Sequence, residues 1–220
     1  MAYVDFITQV HSATPRDYIG RVTAADKAHC AEKALEWGHD YWDGDRKYGY
    51  GGFHYDGRWR SVAEKMVEHY QLPANARILD VGCGKAFLLY EFTQLLAQAG
   101  VTGLDISKYA IDNAKEEVRE SLVEGPAHEL PFEDDSFDFV VSINTLHNLP
   151  NYELWQAVRE MERVGRGAKY ITVESFRNER EKVNLLYWQL TCRTFHAPEE
   201  WEWVFEQTGY TGDHGFIFFE

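Results

Sequence analysis

Residues 78–86 read ILDVGCGKA, and the fold turns on how this stretch is read. Ile78 and Leu79 belong to an apolar run too short for a helix, Asp80 closes it, and Gly82 and Gly84 permit a sharp backbone turn that a side chain would obstruct. The next segment, AFLLYEFTQLLAQAG (86–100), repeats apolar side chains at 88, 92, 95, 96 and 99 and stops at Gly100, which is helical spacing. Strand, glycine turn and helix therefore open a βαβ unit. Working downstream, VTGLD (101–105) predicts a second strand, and SKYAIDNAKEEVRE (107–120) a helix capped by Ser107. FDFVVSI (137–143) and AKYITVES (168–175) are strands too continuously apolar to keep a wet face. NYELWQAVREMERVG (151–165) and PEEWEWVFEQTG (198–209) predict helices, the second opened by Pro198 and closed by Gly209, and FIFFE (216–220) is the last strand.

Alternating strands and helices with fully apolar strands mean a mostly parallel, doubly wound sheet covered on both faces, an α/β three-layer sandwich. Ligands of such sheets bind beyond the carboxyl ends of the strands, here after Asp80, Asp105, Ile143 and Ser175. Upstream, TAADKAHCAEKALEWG (23–38) and SVAEKMVEHYQLP (61–73) predict helices, each with a capping box, Thr23 with Asp26 and Ser61 with Glu64. Between them lies the ribbon DRKYGYGGFHYDGRW (45–59), dense in glycine, rings and basic side chains. The chain is expected to be one globular unit, with residues 1–74 an N-terminal helical cap and ribbon and residues 75–220 the core.

At 220 residues, 45% hydrophobic and 15% aromatic, the chain can bury a sizeable core. Its net charge of −14 argues against gripping nucleic acid, whose phosphates are held by clustered Lys and Arg. No apolar run approaches the length of a membrane span, and MAYVDFITQV has no basic-then-apolar leader pattern, so a cytoplasmic protein is expected. Three cysteines, Cys30, Cys83 and Cys192, show no CxxC spacing, so neither a disulfide framework nor a metal site is expected.

A dinucleotide fold wants G-x-G-x-x-G/A, but Phe87 stands where the third small residue belongs, and Asp80 would oppose a pyrophosphate while suiting a cation. Nicotinamide cofactors are disfavoured. The segments ILDVGCGKA, VTGLDIS and LPFEDDSFDFVVSINTLHNL instead resemble, in order and spacing, the signature segments of class I S-adenosylmethionine-dependent methyltransferases of the small-molecule branch.

The resemblance implies S-adenosyl-L-methionine as cofactor, S-adenosyl-L-homocysteine as product, and a set of roles. Asp80 would sit near the methionine amino end, and Gly82 and Gly84 would let the backbone pass close to the methionine moiety. Asp105 would accept the ribose hydroxyls, Ile106 lie against adenine, and Asn144 meet the methionine part. Two departures stand out: Ala86 replaces the family's third glycine, and Pro126 stands where an Asp would contact the adenine amino group, leaving the Ala127 N–H, with His128 or Glu129, to read the ring. That family commonly ends in an antiparallel hairpin, yet eleven residues follow Gly209, so six strands and no hairpin are expected.

Methyl transfer to an alcohol or protonated amine needs alignment, water exclusion and a base. His147, after the fourth strand, and Glu174, ending the fifth, are the two candidates, Glu174 competing with an ion pair to Arg177 or Arg180. The ribbon is expected to border the cofactor pocket, with Tyr50 toward the cofactor and Arg46, Tyr48, His54 and Arg58 toward the acceptor. Tyr187 and Trp188, in the long insertion 178–192, would supply a second wall. The reaction expected is O- or N-methylation of a small polar, anionic metabolite, such as a sugar derivative or phosphorylated compound, with surface-polysaccharide synthesis as one setting. The alternatives are a cofactor-binding regulatory module and a protein or RNA methyltransferase. A monomer or homodimer is expected, with no membrane or nucleic-acid partner.

Overall fold

The computed structural model describes residues 1–12 and 15–220. Before the glycine turn come α1 (Thr8–Ser12), α2 (Tyr18–Thr23), α3 (Lys27–Ala34), α4 (His39–Trp42) and α5 (Arg60–Tyr70). Then follow β1 (Arg77–Val81), α6 (Phe87–Leu95), β2 (Gly100–Asp105), α7 (Lys108–Asp112) and β3 (Leu122–Glu124). The chain finishes with β4 (Phe137–Ile143), α8 (Asn151–Val164), β5 (Gly165–Glu174), α9 (Glu179–Trp188), α10 (Pro198–Thr208) and β6 (Asp213–Ile217).

The six strands lie in the order β3-β2-β1-β4-β5-β6, and every neighbouring pair is parallel. Order reverses between β1 and β4, so the crevice outside their carboxyl ends is where this topology places a ligand. A single strand follows Gly209, as its short tail predicts. It starts at Asp213, earlier than the FIFFE reading, because Tyr170–Glu174 of β5 pair with Asp213–Ile217.

Two apolar layers sandwich the sheet. Val62 and Met66 of α5, Leu89 and Phe92 of α6, and Phe139 and Tyr170 form one. Leu154, Val158 and Met161 of α8 join Trp201 and Phe205 of α10 under Val81, Val140 and Val173 to form the other. Each such buried side chain contributes about 1.5–3 kcal/mol of transfer free energy.

Three helix readings are corrected. The expected helix 23–38 is shortened to α3, because Thr23 ends α2 and Asp26, accepting from the N–H groups of Ala28 and His29, starts α3 on its own. The expected helix 61–73 begins at Arg60 without a side-chain cap and ends where Gln71 turns left-handed (φ 50°). The expected helix 107–120 keeps its Ser107 cap but breaks after Asp112, and a 3-10 turn at Glu116–Ser121 follows. Residues 1–74 pack against the rest of the chain. α5 packs on α6, α2 on α9, and the first residues run beside β6, Val4 N–H donating to the His214 carbonyl at 2.8 Å.

Candidate active site

The glycine turn is built as the motif demands. Gly82 has φ +82°, and a Cβ there would fall 2.1 Å from Thr145 Oγ1. Gly84 has φ +54°, and its N–H donates to Asp105 Oδ2 at 2.7 Å while Ser107 N–H donates to Oδ1 at 2.8 Å. Asp105 is thus a buried bracket between β1 and β2 with lone pairs still open to hydroxyl donors. Ala86, in the place of the third glycine, also adopts the left-handed region (φ 58°).

Two cavities meet at the carboxyl ends of β1, β4 and β5. The larger, about 430 Å³, is lined by Asp80, Gly82, Gly84, Asn144, Glu174 and Trp188 and by Arg46, Tyr50, His54 and Arg58 of the ribbon. The smaller, about 320 Å³, holds Asp105, Ile106, Ala127, His128 and Glu153. Tyr41, Trp42, Tyr50, Gly82, Ile143 and Asn144 line both.

Local chemistry seats the ribbon there. Trp42 is buried, donates its Nε1–H to Ser107 Oγ at 2.9 Å and stacks on Tyr50 with centroids 5.4 Å apart. Phe53 stacks on Phe87, the ring that replaces the small residue of a dinucleotide turn. Lys85, only 4% exposed, reaches from the glycine turn to both Asp43 oxygens (2.7 and 2.6 Å) and the Phe53 carbonyl. Burial opposes ionisation of Asp43, but hydrogen bonds from Lys85, Tyr109 and the Phe53 N–H outweigh it and hold the carboxyl below its ordinary value.

Of the residues expected at the acceptor site, Arg46, His54, Arg58 and Trp188 line the larger cavity, with Arg58 held by Asp56. Tyr48 does not line it; its ring meets His29 edge-on beneath Lys47. Tyr187 lies outside both cavities, its carbonyl taken by Lys27. His147 is 1% exposed and lines neither cavity. It stands behind Glu174: its Nδ1 accepts from the Glu174 N–H at 3.4 Å, which leaves the proton on Nε2, 3.3 Å from Glu174 Oε2.

Glu174 faces the larger cavity. It pairs with neither Arg177 nor Arg180; Arg177 binds Glu181 and Glu220 instead. Glu174 Oε1 accepts from Gln189 Nε2, while Oε2 is buried with no hydrogen-bond partner. Burial pushes this carboxyl up to about 8, against the pull of Gln189 and Arg16, and pushes the His147 imidazole down to about 3. The contact is therefore between neutral groups near pH 7. Burial and the nearby Asp105 charge push Asp80 up to about 8, and burial pushes Asp105 up to about 6 against its two backbone hydrogen bonds.

Sequence reasoning missed Trp42, Asp43, Gln189, Arg16 and Arg21. The pair Trp42-Asp43 ahead of the ribbon is its one local hint; Arg16 and Arg21 reach the cavity only through the packing of α2 on α9.

The residues present suit a cationic, hydroxyl-bearing cofactor. Asn144, held left-handed (φ 59°), presents a buried Oδ1 with no partner at the wall common to both cavities. That orphaned acceptor and two acids protonated by burial answer to donors and positive charge, and the Cβ-free turn leaves room for a close approach.

Residues 79–172 match the family described as methyltransferase domain. A demethylmenaquinone methyltransferase of Staphylococcus haemolyticus is 30% identical over 164 residues, covering 68% of this chain and 66% of the relative. One of Listeria monocytogenes is 36% identical over 114 residues, 49% of this chain and 46% of the relative. The chain thus spans about two thirds or half of the length of the curated relatives it matches. Among solved structures, the YcgJ protein of Bacillus subtilis superposes with a TM-score of 0.53 at 22% identity, covering 66% of each chain. A chain of the complex between the Haloferax volcanii Trm112 methyltransferase activator and a methyltransferase gives 0.57 at 19% identity, covering 89% of this chain and 77% of that one. Both likenesses concern the fold.

Proposed function

Because residues 79–172 form a class I S-adenosylmethionine-dependent methyltransferase domain, we propose that this protein methylates an oxygen or nitrogen of a small, polar, anionic metabolite. The observation that carries the reading is Glu174, a cavity-lining carboxyl in the same space as the glycine turn and Asn144, with an Oε2 that makes no hydrogen bond and lies 3.3 Å from His147 Nε2. Asp105 would hold the ribose hydroxyls, Ile106 and Ala127 would flank the adenine, and Asp80 and Asn144 would face the methionine end of the cofactor. When bound, the cofactor supplies an electrophilic methyl group on a positively charged sulfur.

The chain's own part is alignment, water exclusion and proton removal. Glu174 Oε2 would take the proton of the acceptor hydroxyl or ammonium, with Gln189 fixing its other oxygen and His147 its backbone. Tyr50, Trp42 and Phe53 would keep water from the reacting atoms.

The aromatic lining favours a second acceptor class, the quinone ring that names the relatives. Turnover of a panel of sugar phosphates, hydroxy acids and demethylated quinones separates the two. Calorimetry tests the cofactor: S-adenosylhomocysteine should bind, NAD should give no heat, and Asp105→Ala should lose about 1.5–3 kcal/mol of affinity, the scale of hydrogen bonds to a charged group. Unchanged affinity in the variant would refute the assignment. Binding without turnover of any acceptor would favour a regulatory module.

A further inference from the structure

The larger cavity has a wall that the methyltransferase domain does not supply. Arg21 and Arg46 each place the guanidinium carbon 5.2 Å from the centroid of the Trp188 indole, and Arg16 places its own at 5.4 Å. All four residues line this cavity. Arg21 donates to the carbonyls of Trp188 (3.2 Å) and Arg46 (2.6 Å), and Arg46 to those of Gly49 (2.6 Å) and Tyr50 (3.1 Å). Carbonyls orient a guanidinium without cancelling its charge. Among the described residues neither Arg21 nor Arg46 has a carboxylate partner, whereas Arg58, Arg60, Arg163, Arg166 and Arg177 each have one. What distinguishes Arg21 and Arg46 is that they stand together on the wall of one cavity, against one indole ring.

We propose that Arg21, Arg46 and Arg16, gathered on Trp188, bind the carboxylate or phosphate group of the methyl acceptor. The inference rests on the reading of this cavity as the place of methyl transfer. Partial burial and mutual repulsion disfavour the charge of Arg21, and burial that of Arg46, so an oxyanion between them relieves both costs. Guanidinium stays charged regardless and presents a planar fork that matches either oxyanion through two parallel hydrogen bonds. The cavity's two acids do not compete, since Asp80 and Glu174 are held mostly protonated at neutral pH. Arg16 and Glu174 line the same cavity of about 430 Å³, so the anionic group and the atom to be methylated would belong to one small molecule. A neutral quinone would offer Arg21 and Arg46 no oxyanion.

The test uses the full chain saturated with S-adenosylhomocysteine, titrated separately with inorganic phosphate and with benzoate at fixed ionic strength. Thermal shift and calorimetry read the binding. The wild type should bind at least one anion saturably, and Arg21→Gln/Arg46→Gln should weaken it at least tenfold. Arg46→Lys should fall between, and S-adenosylhomocysteine affinity should stay within about twofold throughout. Preference for phosphate assigns a phosphorylated acceptor; preference for benzoate assigns a carboxylate. Should the double variant unfold, the single Arg21→Gln and Arg46→Gln variants decide by the same criterion. No saturable binding of either anion by the wild type, or binding unmoved by the substitutions, overturns the proposal. Failure of S-adenosylhomocysteine itself to bind would overturn the methyltransferase reading instead.

Discussion

Glu174 lines the cavity with one oxygen committed to Gln189 and the other beside His147 Nε2, and its carboxyl is held near 8 by burial. A base must be deprotonated to act, so the rate at saturating cofactor should climb as pH rises through about 8 and level above it. Gln189 pulls this value down, so Gln189→Ala should move the midpoint to higher pH. Glu174→Gln should cut kcat by about 10²–10⁴, the usual worth of a positioned acid or base. A pH-independent profile in the wild type would remove Glu174 from that role. Asp80 makes a different expectation. It is protonated at neutral pH because it is buried beside Asp105, and a cation placed against it lowers its pKa. Binding of S-adenosylmethionine at pH 7 should therefore release a proton, seen as a binding enthalpy that varies with the buffer's ionisation heat. S-adenosylhomocysteine, which lacks the sulfonium charge, should release less.

At the scale of elements, the glycine turn and the ribbon behave as one part. Gly82→Ala combines a left-handed φ with a Cβ that would sit 2.1 Å from Thr145 Oγ1, so cofactor affinity and stability should both fall. The Lys85–Asp43 pair ties the ribbon to that turn. Asp43→Asn leaves a nearly buried ammonium without its counter-charge and should cost roughly 2–3 kcal/mol. That is below the 3–5 kcal/mol typical of fully buried pairs, because Asp43 is partly wet; chemical denaturation reads it, and an unchanged midpoint would sink the latch. The turn was legible in the sequence because its chemistry is local, down to the acid before it and the missing third glycine. The strands from residue 77 onward were legible for the same reason, their apolar runs being unbroken. What escaped was long-range: His147 has the right position in the chain, yet it is buried in the 3-10 turn Leu146–Asn148, behind Glu174. Tyr48 and Tyr50 look alike as residues, but only Tyr50 turns toward Trp42 and Asn144. Asp43 finds Lys85 only once the fold exists.

For the whole molecule, the same buried groups set a pH dependence of stability. Asp80 and Glu174 have folded pKa values near 8, above those of an unfolded chain, so folding takes up protons on them. Their contribution is complete at low pH and is lost as pH rises toward 8. His147 and His11 are pushed down by burial to about 3 and about 4, and their contribution is lost as pH falls below about 6.5. Between pH 6.5 and 8 these two carboxyls outweigh Lys27, whose ammonium is pushed down by burial to about 8 and acts with the opposite sign, so the ligand-free Tm should fall across that window; a rising Tm would contradict the assignment. The wall of Trp42 and Tyr50 that separates the two cavities has a kinetic consequence. It is part of the cap, and it is pinned to the turn that would cradle the cofactor. Exchange of spent for fresh cofactor across this partition would require Lys85 to release Asp43. Turnover should be paced by this opening: a first cycle on preloaded enzyme runs ahead of the steady state, and Asp43→Asn shrinks the burst by hastening exit.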